Sequence, residues 1–212
     1  MNKKIQKKEA IKFGWEEFKK NLWFFIGAML IIAVISGISS YASKGMERAP
    51  LFGSLLNIAS VIFGIIVQIG LIKAILKVVD GQKPSFDDLF SESRYFLRYV
   101  GASLLYGLIV IGGLLLFIAP GIIWRIKFQF YKYLIVDKNM GVLESLKKSA
   151  EMTKGYTWEL FLFGLVMFGI TALGALAFMV GLVVAVPVVA IATAFVYKKV
   201  LPYAAEIHIA TN

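Results

Sequence analysis

Long apolar blocks alternate with short charged stretches along the whole chain, at 22–41, 51–79, 99–118, 122–136, 158–179 and 180–201. Within each block the apolar residues are continuous rather than alternating. That is the pattern of spanning helices and not of barrel strands. The expected fold is therefore all-α: a polytopic transmembrane helical bundle of six spans, paired into hairpins 22–79, 99–136 and 158–201. A span needs about 20 residues to cross roughly 30 Å of hydrocarbon. The fourth block meets that length only if its helix begins before Pro120, near Leu115. A start at Gly121 makes it short and gives a five-span or re-entrant chain. Pro187 inside the sixth block is tolerated, because neighbouring helices can satisfy the carbonyl it frees.

Three amphipathic segments, 1–20, 85–97 and 141–154, each precede a hairpin and suit helices lying in the membrane interface. In the first, with helical periodicity over 3–20, Ile11, Trp15, Phe18 and Leu22 share one face, while Lys4, Lys8 and Lys12 share another. In the second, Ser85 followed by Asp88 matches a capping box and opens a short helix with Phe86, Leu89 and Phe90 on one side. In the third, Leu143, Leu146 and Ala150 make the apolar stripe, and Glu144 pairs with Lys148. The whole chain of 212 residues reads as one integral membrane domain.

The unit of amphipathic helix plus hairpin repeats. Val79-Asp80 recurs as Val136-Asp137, and Phe86 and Leu89 fall on Leu143 and Leu146 in the same register. A looser register places Pro120 on Pro187 and Tyr131-Lys132 near Tyr197-Lys198. Such repeats are common in transporters and also occur in scaffolds.

Composition agrees with a membrane protein: 59% of residues are hydrophobic and the mean hydropathy is +0.77. The formal charge of +10, from 23 Lys+Arg against 13 Asp+Glu, would suggest nucleic acid in a soluble protein. Here its placement reads as topology. Only Lys44 and Arg48 fall in a loop on the side opposite the remaining basic residues, the positive-inside pattern. It puts both termini in the cytoplasm, in a cell (inner or cytoplasmic) membrane. It also predicts membrane lipids as partners, anionic head groups on the cytoplasmic side above all, with a homo-oligomer or membrane-protein partner as a further option and no nucleic acid. The absence of cysteine excludes disulfides, zinc thiolates and thiol catalysis. Met-Asn-Lys-Lys leads into no short apolar region with a cleavage site, so no signal peptide is expected.

Catalytic chemistry has little to stand on. The single histidine, His208, reads as a solvated tail residue, and there is no phosphate-binding loop. Asp80, Asp87, Asp88, Glu92, Asp137, Glu144, Glu151 and Glu159 fall in interfacial segments and none in mid-span, which disfavours a proton-coupled pump. No catalytic residue, metal ligand or cofactor is expected. The polar exception is the fourth block. Arg125, Gln129 and Lys132 are four and three residues apart and form one stripe on a helix. With a start near Leu115, Arg125 lies roughly 15 Å in, at ~1.5 Å per residue. A charge there costs ~2.5–3.5 kcal/mol on insertion scales and faces a bundle interior, a cavity or a lipid head group. The internal register puts Gln68 at the level of Arg125, as its polar partner. These four residues are the candidate anion- or lipid-binding set. The alternative is that Lys127, Lys132 and even Arg125 snorkel to the surface along their stems.

Several motifs together resemble a known family. They are Pro120-Gly121-Ile122-Ile123-Trp124-Arg125, Tyr133-Leu134-Ile135-Val136-Asp137, Ser145-Leu146-Lys147-Lys148-Ser149, Lys154-Gly155-Tyr156-Thr157-Trp158, and Gly81-Gln82-Lys83-Pro84-Ser85 before Asp88-Leu89-Phe90. The sequence from about residue 65 onward resembles the membrane domain attached to some bacterial glycerophosphodiester phosphodiesterases, and its stand-alone uncharacterised prokaryotic relatives. In the fused proteins the phosphodiesterase chemistry sits in a separate soluble domain, so the resemblance implies a fold and not an activity. The expected role is a non-enzymatic multi-pass membrane protein that binds lipid or a membrane partner. The alternative is a transporter or permease component for an amphiphilic or anionic substrate.

Overall fold

The computed structural model describes residues 5–45, 49–177 and 180–210, with the backbone alone at 45, 180 and 202–210. Lys4, Glu47, Arg48 and Met179 lie outside the described residues, as do the side chains of Tyr203 and His208. Among the described residues ten α-helices follow one another: α1 (Lys7–Lys20), α2 (Leu22–Gly45), α3 (Pro50–Val79), α4 (Asp88–Ser91), α5 (Phe96–Leu116), α6 (Ile118–Phe128), α7 (Tyr131–Lys138), α8 (Val142–Met152), α9 (Thr157–Leu176) and α10 (Val180–Ala210). No strand occurs among the described residues. Among the described residues five segments are long and apolar enough to cross a membrane: Leu22–Lys44, Pro50–Val79, Asp88–Leu116, Thr157–Leu176 and Gly181–Leu201. The protein is a membrane-embedded helical bundle.

The fourth apolar block does not join those five. Phe117 is extended, with φ −161° and ψ 153°, so α5 ends there and α6 begins at Ile118. That lies between the two starts considered above. The turn is tight because Gly113 and Gly121 face each other; a Cβ on Gly113 would come within 2.9 Å of the Gly121 Cα. The block then breaks a second time at Gln129-Phe130 before α7. It is a helix of 11 residues followed by one of 8. Asn139, with φ 56°, ends α7 in the left-handed conformation that asparagine tolerates.

α10 is the hub. Val188, Ile191 and Ala194 pack with Phe18, Phe24, Phe25, Ala74, Ile75 and Leu89 from the N-terminal helices. Ala192, Val196 and Tyr197 on another face join the larger cluster around α7, where Tyr131, Leu134, Ile135 and Val136 are all buried. Outward faces carry exposed Leu30, Val34, Leu104, Leu108 and Leu173, as lipid-facing surfaces do.

The three amphipathic segments differ in detail from expectation. α1 buries Ala10, Gly14 and Phe18 against α10, while Trp15 and Leu22 stay exposed. Close packing decides this: a Cβ on Gly14 would lie 2.6 Å from the Val188 carbonyl oxygen. The second segment is only the four-residue α4 and a 3-10 turn (Ser93–Tyr95) running into α5. Its capping contact is present, since the Asp88 carboxylate accepts from the Ser85 N–H at 2.8 Å. Leu89 is fully buried, but Phe86 and Phe90 lie half exposed against Phe24 and Phe63. In α8 the buried face is Ser145, Leu146, Ser149 and Met152, and Leu143 points out.

Candidate functional site

Several basic side chains near helix ends have acidic partners. Lys77 and Lys73, one turn apart on α3, reach Asp88 at 2.5 Å and Glu92 at 3.6 Å, and both carboxylates are buried. Lys7 meets Glu159 at 3.1 Å and Lys199 meets Glu9 at 2.7 Å. Lys198 on α10 bridges Asp137 at 2.9 Å and Asp80 at 3.0 Å, and the Tyr197 hydroxyl donates to Asp137 at 2.9 Å. The two acids matched by the internal register thus meet on the lysine of the matched Tyr-Lys pair. For Asp137, burial pushes the carboxyl pKa up, but hydrogen bonds from Lys198 and Tyr197 outweigh burial and hold it below the ordinary carboxylate value.

Arg125 and Lys132 are different. Among the described residues neither has an ion pair. Both line a cleft of about 510 Å³ that α6 and α7 form with α5, α9 and α10. Gln129 lines it too, and its Nε2 is buried without a hydrogen-bond partner. The sequence-predicted stripe is therefore assembled in one place, though not on one helix. Arg125 belongs to α6, Gln129 stands at the break and Lys132 belongs to α7. Because α6 starts at Ile118, Arg125 is about 10 Å from its beginning at ~1.5 Å per residue, shallower than a start at Leu115 implies.

Gln68 is not a partner of Arg125. Its Oε1 accepts from the Tyr99 hydroxyl at 3.4 Å, and it does not line the cleft. Its link is indirect, since Lys132 Nζ sits 5.6 Å from the Tyr99 ring and 5.8 Å from the Tyr131 ring. Both rings are buried, and desolvation strengthens such a cation–π contact.

The break that positions Gln129 is held by α8. The Ser149 hydroxyl donates to the Lys127 carbonyl at 2.9 Å and accepts from the Phe130 N–H at 3.1 Å. Thr153 lies within 3.1 Å of the same carbonyl. Broken backbone in a membrane protein is stable only where its polar groups find such partners. Ser145, Ser149 and Thr153, spaced four apart and all fully buried, carried the signal. So did Tyr131, which bonds Ser103 at 2.8 Å and packs against Tyr106 at the cleft wall. The other wall is apolar, with Leu160, Phe161, Leu165 and Phe168 from α9. The cleft thus combines two cations, an unpartnered amide donor and an apolar wall.

Residues 100–203 match a family of proteins of unknown function (DUF975). That segment contains every residue lining the cleft. Uncharacterized proteins of Mycobacterium bovis and Mycobacterium tuberculosis are 27% identical over 220 aligned positions, covering 90% of this chain and 67% of each relative. Neither the family description nor these names mentions a phosphodiesterase. No solved structure matches the chain.

Proposed function

We propose that this protein is a non-enzymatic membrane protein that holds an anionic amphiphile in the cleft beside the broken helix. The observation that carries the reading is two cations in one cleft with no carboxylate among its described lining residues. Lys73, Lys77 and Lys198 are matched by carboxylates, whereas Arg125 and Lys132 share a cleft without one. A cation held near an apolar wall without a counter-ion is costly unless a ligand supplies the charge. Exposed Leu165 and Phe168 open the cleft sideways to the bilayer, the route by which a lipid would enter.

The topology that goes with this reading has six spans with both termini in the cytoplasm, α6 and α7 together making the fourth. Anionic membrane lipids are the partners, and no nucleic acid is. A second reading, a transporter or permease component, is favoured by the break at Gln129-Phe130, because interrupted helices line substrate sites in transporters. The likeness to the membrane domain of the phosphodiesterases rests on the motif residues alone.

The test uses purified protein in nanodiscs of phosphatidylcholine with phosphatidylglycerol, with retained lipid measured by native mass spectrometry. Arg125→Ala with Lys132→Ala should lower phosphatidylglycerol retention about tenfold at unchanged melting temperature. Loss of folded protein in step with retention would make the two cations structural and sink the reading. Uptake of labelled lipid into vesicles separates transport from holding.

A further inference from the structure

The chemistry of the cleft narrows its occupant, and this inference rests on the reading above. No carboxylate lines the cleft among the described residues, so an ammonium group inside it would meet Arg125 and Lys132 with no described anion to receive it. Some of the aromatic faces at and beside the cleft are already engaged. Lys132 lies over Tyr99 and Tyr131, and Phe161 stacks on Trp158 with centroids 5.4 Å apart. The unpartnered Nε2 of Gln129 is a donor in want of an acceptor. All three observations select a head group that offers acceptor oxygens and negative charge and no amine.

The apolar wall has a notch. Gly164 lies on α9 between Phe161 and Phe168 and lines the cleft, and a Cβ built on it meets nothing within 4 Å. Mid-helix glycine costs about 0.8–1.0 kcal/mol relative to alanine, yet no packing contact explains this one. The position between the two phenylalanines is open.

We infer that the occupant is a phospholipid whose phosphate is its only ionised group, with the phosphate between Arg125, Gln129 and Lys132 and one acyl chain lying across Gly164. Phosphatidylglycerol and phosphatidylserine carry the same net charge, and only the second has an amine, so they discriminate cleanly.

Protein in phosphatidylcholine nanodiscs containing equal amounts of both should retain phosphatidylglycerol about tenfold over phosphatidylserine. Gly164→Leu should abolish that retention at unchanged melting temperature. Gly169→Leu, at a second open position on α9 away from the cleft, should leave it intact. Equal retention of the two lipids overturns the head-group assignment. Full retention by Gly164→Leu overturns the chain seat. If neither anionic lipid is retained over phosphatidylcholine, the anionic-amphiphile reading itself fails and this inference with it.

Discussion

Asp137 and Lys198 meet at 2.9 Å across 61 residues of sequence and tie the end of α7 to the last long helix. The Tyr197 hydroxyl donates to the same carboxylate, and Asp80 from the end of α3 closes the group on Lys198. Two helix ends are thus joined to α10 at one ammonium. Because the folded state lowers the Asp137 pKa below its ordinary value of 3.8, ionised Asp137 favours the fold. Its contribution is complete above that value and is lost as pH falls through the lower native pKa. Asp137→Asn should cost about 1–3 kcal/mol near neutral pH. It should also flatten the acid limb of the stability profile below roughly pH 4. Thermal melts in detergent across pH 2–7 check both; parallel wild-type and variant profiles would contradict the assignment.

Ser149→Ala strips the Phe130 N–H and the Lys127 carbonyl of a buried partner at once. A loss of about 1–3 kcal/mol is expected. Thr153→Ala should cost less, because Ser149 still holds the carbonyl, and the double variant should lose more than the sum of the two. Amide exchange at Phe130, followed by mass spectrometry, should accelerate specifically in Ser149→Ala.

Small residues on the helices are not equivalent. A Cβ on Gly70 would collide with the Leu89 backbone, whereas one on Gly107 meets nothing. Gly70→Ala should therefore destabilise by about 1–3 kcal/mol through overpacking. Gly107→Ala should be neutral or stabilising by up to about 1 kcal/mol from helix propensity. Melting temperatures of the two variants give the comparison.

The natural absence of cysteine makes topology accessible to single-cysteine labelling. Lys83→Cys and Asn139→Cys, both exposed, should be shielded from an impermeant thiol reagent in intact cells. Ala119→Cys, at the apolar α5–α6 turn, should react. Labelling of Asn139→Cys from outside would mean that α6 and α7 do not complete a crossing.

The apolar blocks were legible because bilayer thickness sets their length, and the boundaries of α2, α3 and α9 fall within a few residues of expectation. The pairing of Asp80 with Asp137 was visible as a repeated Val-Asp, but its meaning needed Lys198, which belongs to a different register. Arg125, Gln129 and Lys132 were found because charge in an apolar block is conspicuous. That they come together across a helix break was not legible. Nothing in Gln129-Phe130 forbids helix; the partners that stabilise the break come from α8, a tertiary effect. The buried faces of α1 and α8 were read only in part: Phe18 and Leu146 are buried as expected, but Trp15 and Leu143 are not, for a related reason. Glycine and serine pack closely where hydrophobicity alone would place tryptophan and leucine.

Order of synthesis adds a last consequence. A ribosome finishes the joint at Gln129-Phe130 before it makes the hydroxyls of Ser149 and Thr153 that fasten it. Until α8 emerges, the Lys127 carbonyl and the Phe130 amide depend on water or on the insertion machinery. The α6–α7 pair therefore cannot be released into lipid as a finished unit. A nascent chain arrested between Asn139 and Ser149 carries the joint without the hydroxyls that fasten it.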